Sequence, residues 1–300
     1  MTAPPGWVDP NAPSTTNVNP NARTILGIAA AALTAVVVAT LVTVVVMTRG
    51  VDSSSGPQAD DVVLTAANAA VADPFGQSVV LDRTPPSPEA AQHITESVAG
   101  IPYFPDRGVR LASGTQRGMY GTFNRPHGPC DGATAATALL NDATRGTTWA
   151  TALDLQRNEI PYYLNTLTPV TLTVDTWVTS YGYVDGAARP YQTVLQAGNA
   201  VMIDPAGVPR LHCEGLSPLA PPANRNLSDL RQMGRPWPEF DGRKVVAIAY
   251  TAGTAAQPTA EFTLLDLASG QTVNRNAGGT INLGPGATRL PNPVAMNAAP

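Results

Sequence analysis

Charge is scarce in this 300-residue chain. Only 13% of its residues are Asp, Glu, Lys or Arg, against roughly 25% in soluble domains. The formal net charge is -4, so no basic face marks the chain for nucleic acid. Lysine is all but missing: of the 18 basic residues, one is Lys244 and 17 are arginine. Arginine over lysine, with abundant Ala, Thr, Val and Pro, has the look of a GC-rich genome such as an actinobacterium's. Internal repeats are absent, which sets aside repeat arrays. Cysteine is limited to Cys130 and Cys213, so all sulfur chemistry rests on that pair.

Apolar residues, by contrast, are plentiful. At 43% they suffice for one good-sized core or two small ones. The longest run, TILGIAAAALTAVVVATLVTVVVM (residues 24–47), carries no charge. About 20 apolar residues cross a bilayer, and a soluble helix of this length would show a polar face. The run is too long for a cleaved signal peptide, lacks a small-x-small cleavage site and is followed by no lipidatable cysteine. It reads as an uncleaved transmembrane anchor between Arg23 and Arg49. Residues 1–23 then form a cytoplasmic disordered tail, too poor in apolar residues to fold alone. Residues 48–59 are a linker, 60–283 an extracytoplasmic domain, and 284–300 a second disordered tail.

Within the domain, DDVVLTAANAAVADPF opens with acidic residues suited to a helix start and stops at Pro74. SPEAAQHITESVAG predicts a second helix between Pro88 and Gly100. CDGATAATALLND and TTWATALDLQRN predict a third and fourth, and IPYYLNTL a short turn of helix before Pro169. The period then changes. VTLTVDTWVTSYGYV alternates and is rich in β-branched and aromatic residues. RPYQTVLQAGNAVMID and VPRLHCEG flank a turn at Asp204-Pro205-Ala206-Gly207. KVVAIAYT and EFTLLDLASGQTVN add two strands, the last ending at Ser269-Gly270. Helices first and strands afterwards predict an α+β fold, with helices packed on a mainly antiparallel sheet.

Three chemistries compete for the two cysteines. In an exported domain the simplest is a Cys130–Cys213 disulfide, closing a loop of 82 residues and contributing about 4–5 kcal/mol in the chain-entropy model. The second is a thiolate at Cys130, activated by a helix N-terminus and by His212 as base, in the manner of cell-wall cysteine hydrolases. Against it, His212 and Cys213 are strand neighbours facing opposite ways. The third is structural zinc on His127, Cys130, His212 and Cys213, a spacing that matches no standard ligand set. No cofactor is expected.

Other polar groups form no obvious site. Asp154, Glu159, Asp175, Asp185 and Asp204 are scattered, with no spacing that compels a carboxylate pair. Asp185-Gly186 is turn chemistry. The tyrosines of TSYGYVDG and RPYQ read as strand packing before they read as a ligand groove. His93 is a surface residue on a predicted helix, and Asn226-Leu227-Ser228 is a short, common sequon.

Several segments together resemble a known family. GMYGTFNRPHGPCDG, WATAL, IPYYLNTLTPVTL, the stretch from Asp175 to Leu219 and RPWPEF are similar to the actinobacterial domain of unknown function 6777. The likeness runs from about Asp73 to Val246. One departure stands out: the family pattern RCxCGNPL is here His212-Cys213-Glu214-Gly215-Leu216-Ser217-Pro218-Leu219, with one cysteine of the pair missing. The resemblance implies a membrane-anchored domain and carries no catalytic residues. The expectation is therefore a single-pass membrane protein whose exported domain binds an envelope ligand or a protein partner. The alternatives are a cysteine hydrolase using Cys130 and His212, and a structural subunit of a membrane complex.

Overall fold

The computed structural model describes residues 56–67, 69–123, 128–248 and 258–283. The predicted membrane segment at 24–47 and both tails lie outside them. Among the described residues no helix is long and apolar enough to cross a membrane.

The order of elements is β1 (Asp61–Thr65), α1 (Pro88–Ala99), β2 (Tyr103–Phe104), β3 (Val109–Ala112), β4 (Tyr120–Thr122), α2 (Gly132–Asn141), α3 (Ala143–Thr151), α4 (Ile160–Thr166), then β5 (Thr168–Leu172), β6 (Thr176–Val184), β7 (Ala187–Leu195), β8 (Ala200–Ile203), β9 (Pro209–His212), β10 (Ser217–Ala220), β11 (Arg231–Met233), β12 (Val246–Ile248), β13 (Glu261–Asp266) and β14 (Thr272–Asn276). Sheet dominates, and four short strands precede α2, so the expected division into a helical half and a strand half does not hold.

The first expected helix is corrected outright. Asp61–Thr65 forms a strand, parallel to both β7 and β11. Val62, Val63 and Thr65 are β-branched and suit a pleated surface between two neighbours. The acidic start belongs instead to a fork: Arg231 Nε and Nη2 donate to Asp61 Oδ1 and Oδ2 at 2.8 and 3.1 Å. This pair binds β11 to β1 and holds the Asp61 carboxyl below its usual range.

The other helices form for local reasons. Ser87 caps α1, accepting from the Ala90 N–H, with Pro88 at its first position. Asp131 caps α2 through the Thr134 N–H at 2.9 Å. Asp142 caps α3 through the Arg145 N–H at 2.9 Å. This second cap starts α3 four residues before the predicted segment. The chain leaves it near Asp154, a left-handed residue at φ 55°. The β6–β7 hairpin turns through Asp185 (φ 52°) and Gly186 (φ 79°), the geometry of a two-residue turn that matches strand twist.

The sheet is mixed, with eight antiparallel and five parallel pairings among the described residues. β6 is its branch point. One edge pairs with β7, and the other with β12 at Thr176 and with β10 at Thr179 and Ser180. From β10 the order continues β9-β8-β5-β4-β13-β14. The two arms enclose a common core that includes Val178, Val246 and Ile248 from one and Val170, Val201 and Leu264 from the other. β8 shows why every residue of a strand can be apolar here: Val201 and Ile203 enter that core, while Ala200 and Met202 enter a second one under α2–α4. On the outer face of β1, β7 and β12 a third cluster holds Val62, Leu64, Val194 and Trp177 beneath loops.

Candidate functional site

The structure brings the two cysteines together. Their Cα atoms are 6.1 Å apart, with the sulfurs at disulfide distance. Both residues are buried, and both belong to the cluster under the helices. The segment around Val79 laces the pair. Val79 N–H donates to Cys213 O, Asp131 N–H donates to Val79 O (both 3.0 Å), and Val80 bridges Cys130. Beyond Cys213, Leu216 is held at φ 54°, an unusual region for a bulky residue. Its carbonyl accepts from Trp149 Nε1 at 2.8 Å.

His212 does not join Cys130. Its Nε2–H donates to Asn199 Oδ1 at 3.0 Å inside the protein, and burial pushes its pKa down to about 4. With the sulfur of Cys130 bonded and the imidazole turned to Asn199, the thiolate–imidazole couple is not assembled. His127 lies outside the described residues, and among these no group of three His, Cys, Asp or Glu could hold a metal.

The scattered carboxylates go to separate tasks. Asp204 is buried, accepts the Ala206 and Val208 N–H groups at 2.9 and 3.0 Å, and pairs with buried Arg210 at 3.0 Å. It fixes the β8–β9 turn. Glu159 accepts the Gln156 N–H at 2.8 Å. Of the sequence tyrosines, Tyr183 lies under Arg145, whose guanidinium carbon is 4.9 Å from the ring centroid, and tilts against Phe75. The reading as packing fits that environment.

Asp175 leads elsewhere. Its Oδ1 accepts the Ala197 N–H at 2.8 Å and its Oδ2 accepts Trp237 Nε1 at 3.0 Å. Burial raises its pKa, against these two bonds. Trp237 in turn meets Phe240 edge to face, with centroids 5.0 Å apart. Phe240 forms one wall of a cleft of about 210 Å³ on the outer face of β1 and β7.

The floor of that cleft is apolar: Val62, Leu64, Val194 and Leu227. The rim is polar and open. Tyr103 stands on it at 38% exposure, with Gln232 of β11, Ser228, Asp241 and Arg243. Asp241 accepts the Arg243 N–H at 3.0 Å, and Arg243 Nε approaches its Oδ1 to 3.6 Å. The backbone bond first, then the Arg243 charge, hold the Asp241 carboxyl below its usual range. Ser228, the one serine on the lining, donates to Asn226 Oδ1 at 2.6 Å and to no base.

The sequence pattern of a family described as a domain of unknown function (DUF6777) matches residues 110–278. The chain belongs to that family. The DUF6777 region takes in the disulfide, the buried Asp204–Arg210 pair and the Trp237–Arg243 wall of the cleft. Val62, Leu64 and Tyr103 precede it. No curated protein and no solved structure matches the chain.

The cleft residues escaped the sequence reading. Tyr103 and Gln232 sit in strands of two and three residues, too short to show a period. The available signal was RPWPEF, two aromatics beside prolines in a loop, where binding side chains concentrate.

Proposed function

We propose that this chain is a single-pass, membrane-anchored extracytoplasmic module that acts by binding, and that it receives its ligand in the cleft between β1, β7 and the Trp237–Arg243 segment. The cleft is the observation that carries the reading. A concave, mostly apolar lining with a few polar groups at the mouth is the usual build of a ligand site. The serine on the lining has no base beside it, and the alternative Cys130–His212 pair is not assembled, which favours recognition as the role of this cleft. Export is supported by the buried cysteine pair, since disulfides persist in oxidising compartments, and by the uncharged run at 24–47.

Two measurements on the full chain test this. A membrane-impermeant protease added to intact cells should digest the domain; full protection would overturn the topology. Cyclohexanol, a neutral ring with one hydroxyl, should bind at a single saturable site seen by saturation-transfer NMR. The signal should be lost in Phe240→Ala. Absence of binding, or binding indifferent to Phe240, would overturn the cleft as the site.

A further inference from the structure

We propose that the cleft takes one uncharged sugar ring of a longer saccharide, its C–H face against Tyr103 and Phe240 and its hydroxyls on Gln232, Asp241 and Arg243. This deepens the binding reading above and rests on it.

Charge comes first. The two ions of the rim, Asp241 and Arg243, are paired with each other, so the mouth carries no net charge. An anionic or cationic ligand would meet its partner beside an opposite charge that offsets the attraction, whereas a neutral one has no charge to offset. Donor and acceptor balance comes next. Gln232 offers an amide N–H₂ and a carbonyl, Tyr103 a phenol, Asp241 acceptor oxygens and Arg243 N–H donors. A purely apolar ligand would leave these groups without use. A hydroxyl is both donor and acceptor, and adjacent hydroxyls on a ring fit the planar amide, carboxylate and guanidinium side by side. The floor and the two aromatics supply the complementary apolar face.

Size and access complete the argument. About 210 Å³ is below the roughly 300–1,000 Å³ of sites that engulf a drug-sized ligand, and so fits a single small ring. Gln232 and Arg243 at the mouth are exposed, so the cleft opens to solvent where a longer chain would leave it. A side chain from an extended peptide would fill the same floor, but it would not bring the row of adjacent hydroxyls that a sugar ring does.

The test uses the full chain in lipid nanodiscs, free of sugar-headed detergent, with cellotetraose, maltotetraose, chitotetraose and mannotetraose titrated by calorimetry to about 10 mM. At least one should bind saturably. Gln232→Ala and Tyr103→Ala should each weaken it about tenfold; both side chains stand at the exposed rim, and unchanged melting curves would show that the fold is kept. No binding by any tetramer, or equal binding to both variants, would overturn the proposal. If cyclohexanol still binds in a Phe240-dependent way, the binding reading stands and the saccharide assignment has failed. If cyclohexanol does not bind either, both fall. Binding of N-acetylphenylalanine amide in place of every tetramer would reassign the cleft to a peptide side chain and also overturn the proposal.

Discussion

The two outer faces of the sheet are finished in opposite ways. On the face under α2–α4, Met202, Leu211, Trp149, Tyr163 and both cysteines pack together, out of contact with water. Trp149 bonds the Leu216 carbonyl, and burial pushes the Tyr163 hydroxyl up to about 12. On the other face, Val62, Leu64 and Val194 are roofed only by loops, and Tyr103, Gln232 and Arg243 point to water around a cleft. One face spends its side chains on holding the chain together; the other leaves several of them exposed to water. On the proposed reading, stability and recognition are separated by the two arms of the sheet and the core between them. Changes on the closed face should alter stability without altering the cleft, and changes at the rim should do the reverse.

The largest effect should come from the cysteines. Replacing both with alanine frees a loop of sequence separation 83, a loss of about 4–5 kcal/mol in the chain-entropy model. Urea unfolding checks it. Cyclohexanol binding should survive wherever the variant remains folded; a cleft that vanished with stability intact would break the separation of the two faces.

Next is acid. His212 is held neutral by burial, with its pKa at about 4 against an ordinary 6.5. The unfolded chain therefore binds a proton that the folded chain refuses. The contribution is present in full above about pH 6.5 and is lost as pH falls toward 4, by roughly 3 kcal/mol. Asp175 works the other way: burial raises its pKa, so folding gains stability from it as pH falls. The measurement is thus the difference between wild type and His212→Gln, which should lose the His212 slope and keep that of Asp175. Equal slopes between pH 4 and 6.5 would show that the imidazole is not desolvated.

Asp175→Asn probes the join between sheet and cleft. The carboxylate accepts from both Ala197 N–H and Trp237 Nε1, and an amide can accept at only one of its two ends. One bond is lost, at about 1–2 kcal/mol. Trp237 should loosen against Phe240, seen as red-shifted and less anisotropic emission. Unchanged emission would mean that packing alone holds the indole.

How much of this was legible in the sequence follows from what each segment depends on. The β6–β7 hairpin was readable because Asp185-Gly186 and the alternation of Thr176–Val184 are local properties. So was α1, whose Ser87, Pro88 and Gly100 mark both ends. The cysteine pairing was readable only as one of three options, since proximity is a tertiary fact. β1 was misread because its acidic residue serves a partner 170 positions away, Arg231, and its valines serve strands on both sides. The four parallel strand partnerships that β1 and β12 make join distant segments in the same way and leave no local mark. The cleft was least visible, since its lining comes from β1, β2, β7, β11, the Leu227–Ser228 turn and the segment before β12, and no segment but the last contributes more than two residues.

Gln232→Ala should be the smallest perturbation to the fold and the sharpest to the contrast. Gln232 lies on the edge strand β11 with its side chain exposed, and its backbone pairing with Val62 does not depend on the amide. Removing that amide should change stability by less than about 0.5 kcal/mol. If recognition resides on the open face, the same substitution should cost about tenfold in saccharide affinity, a larger loss than the double cysteine variant shows while folded. An amide that matters to neither quantity would mean that the rim is ordinary surface, and the division of labour between the two faces would reduce to a difference in packing.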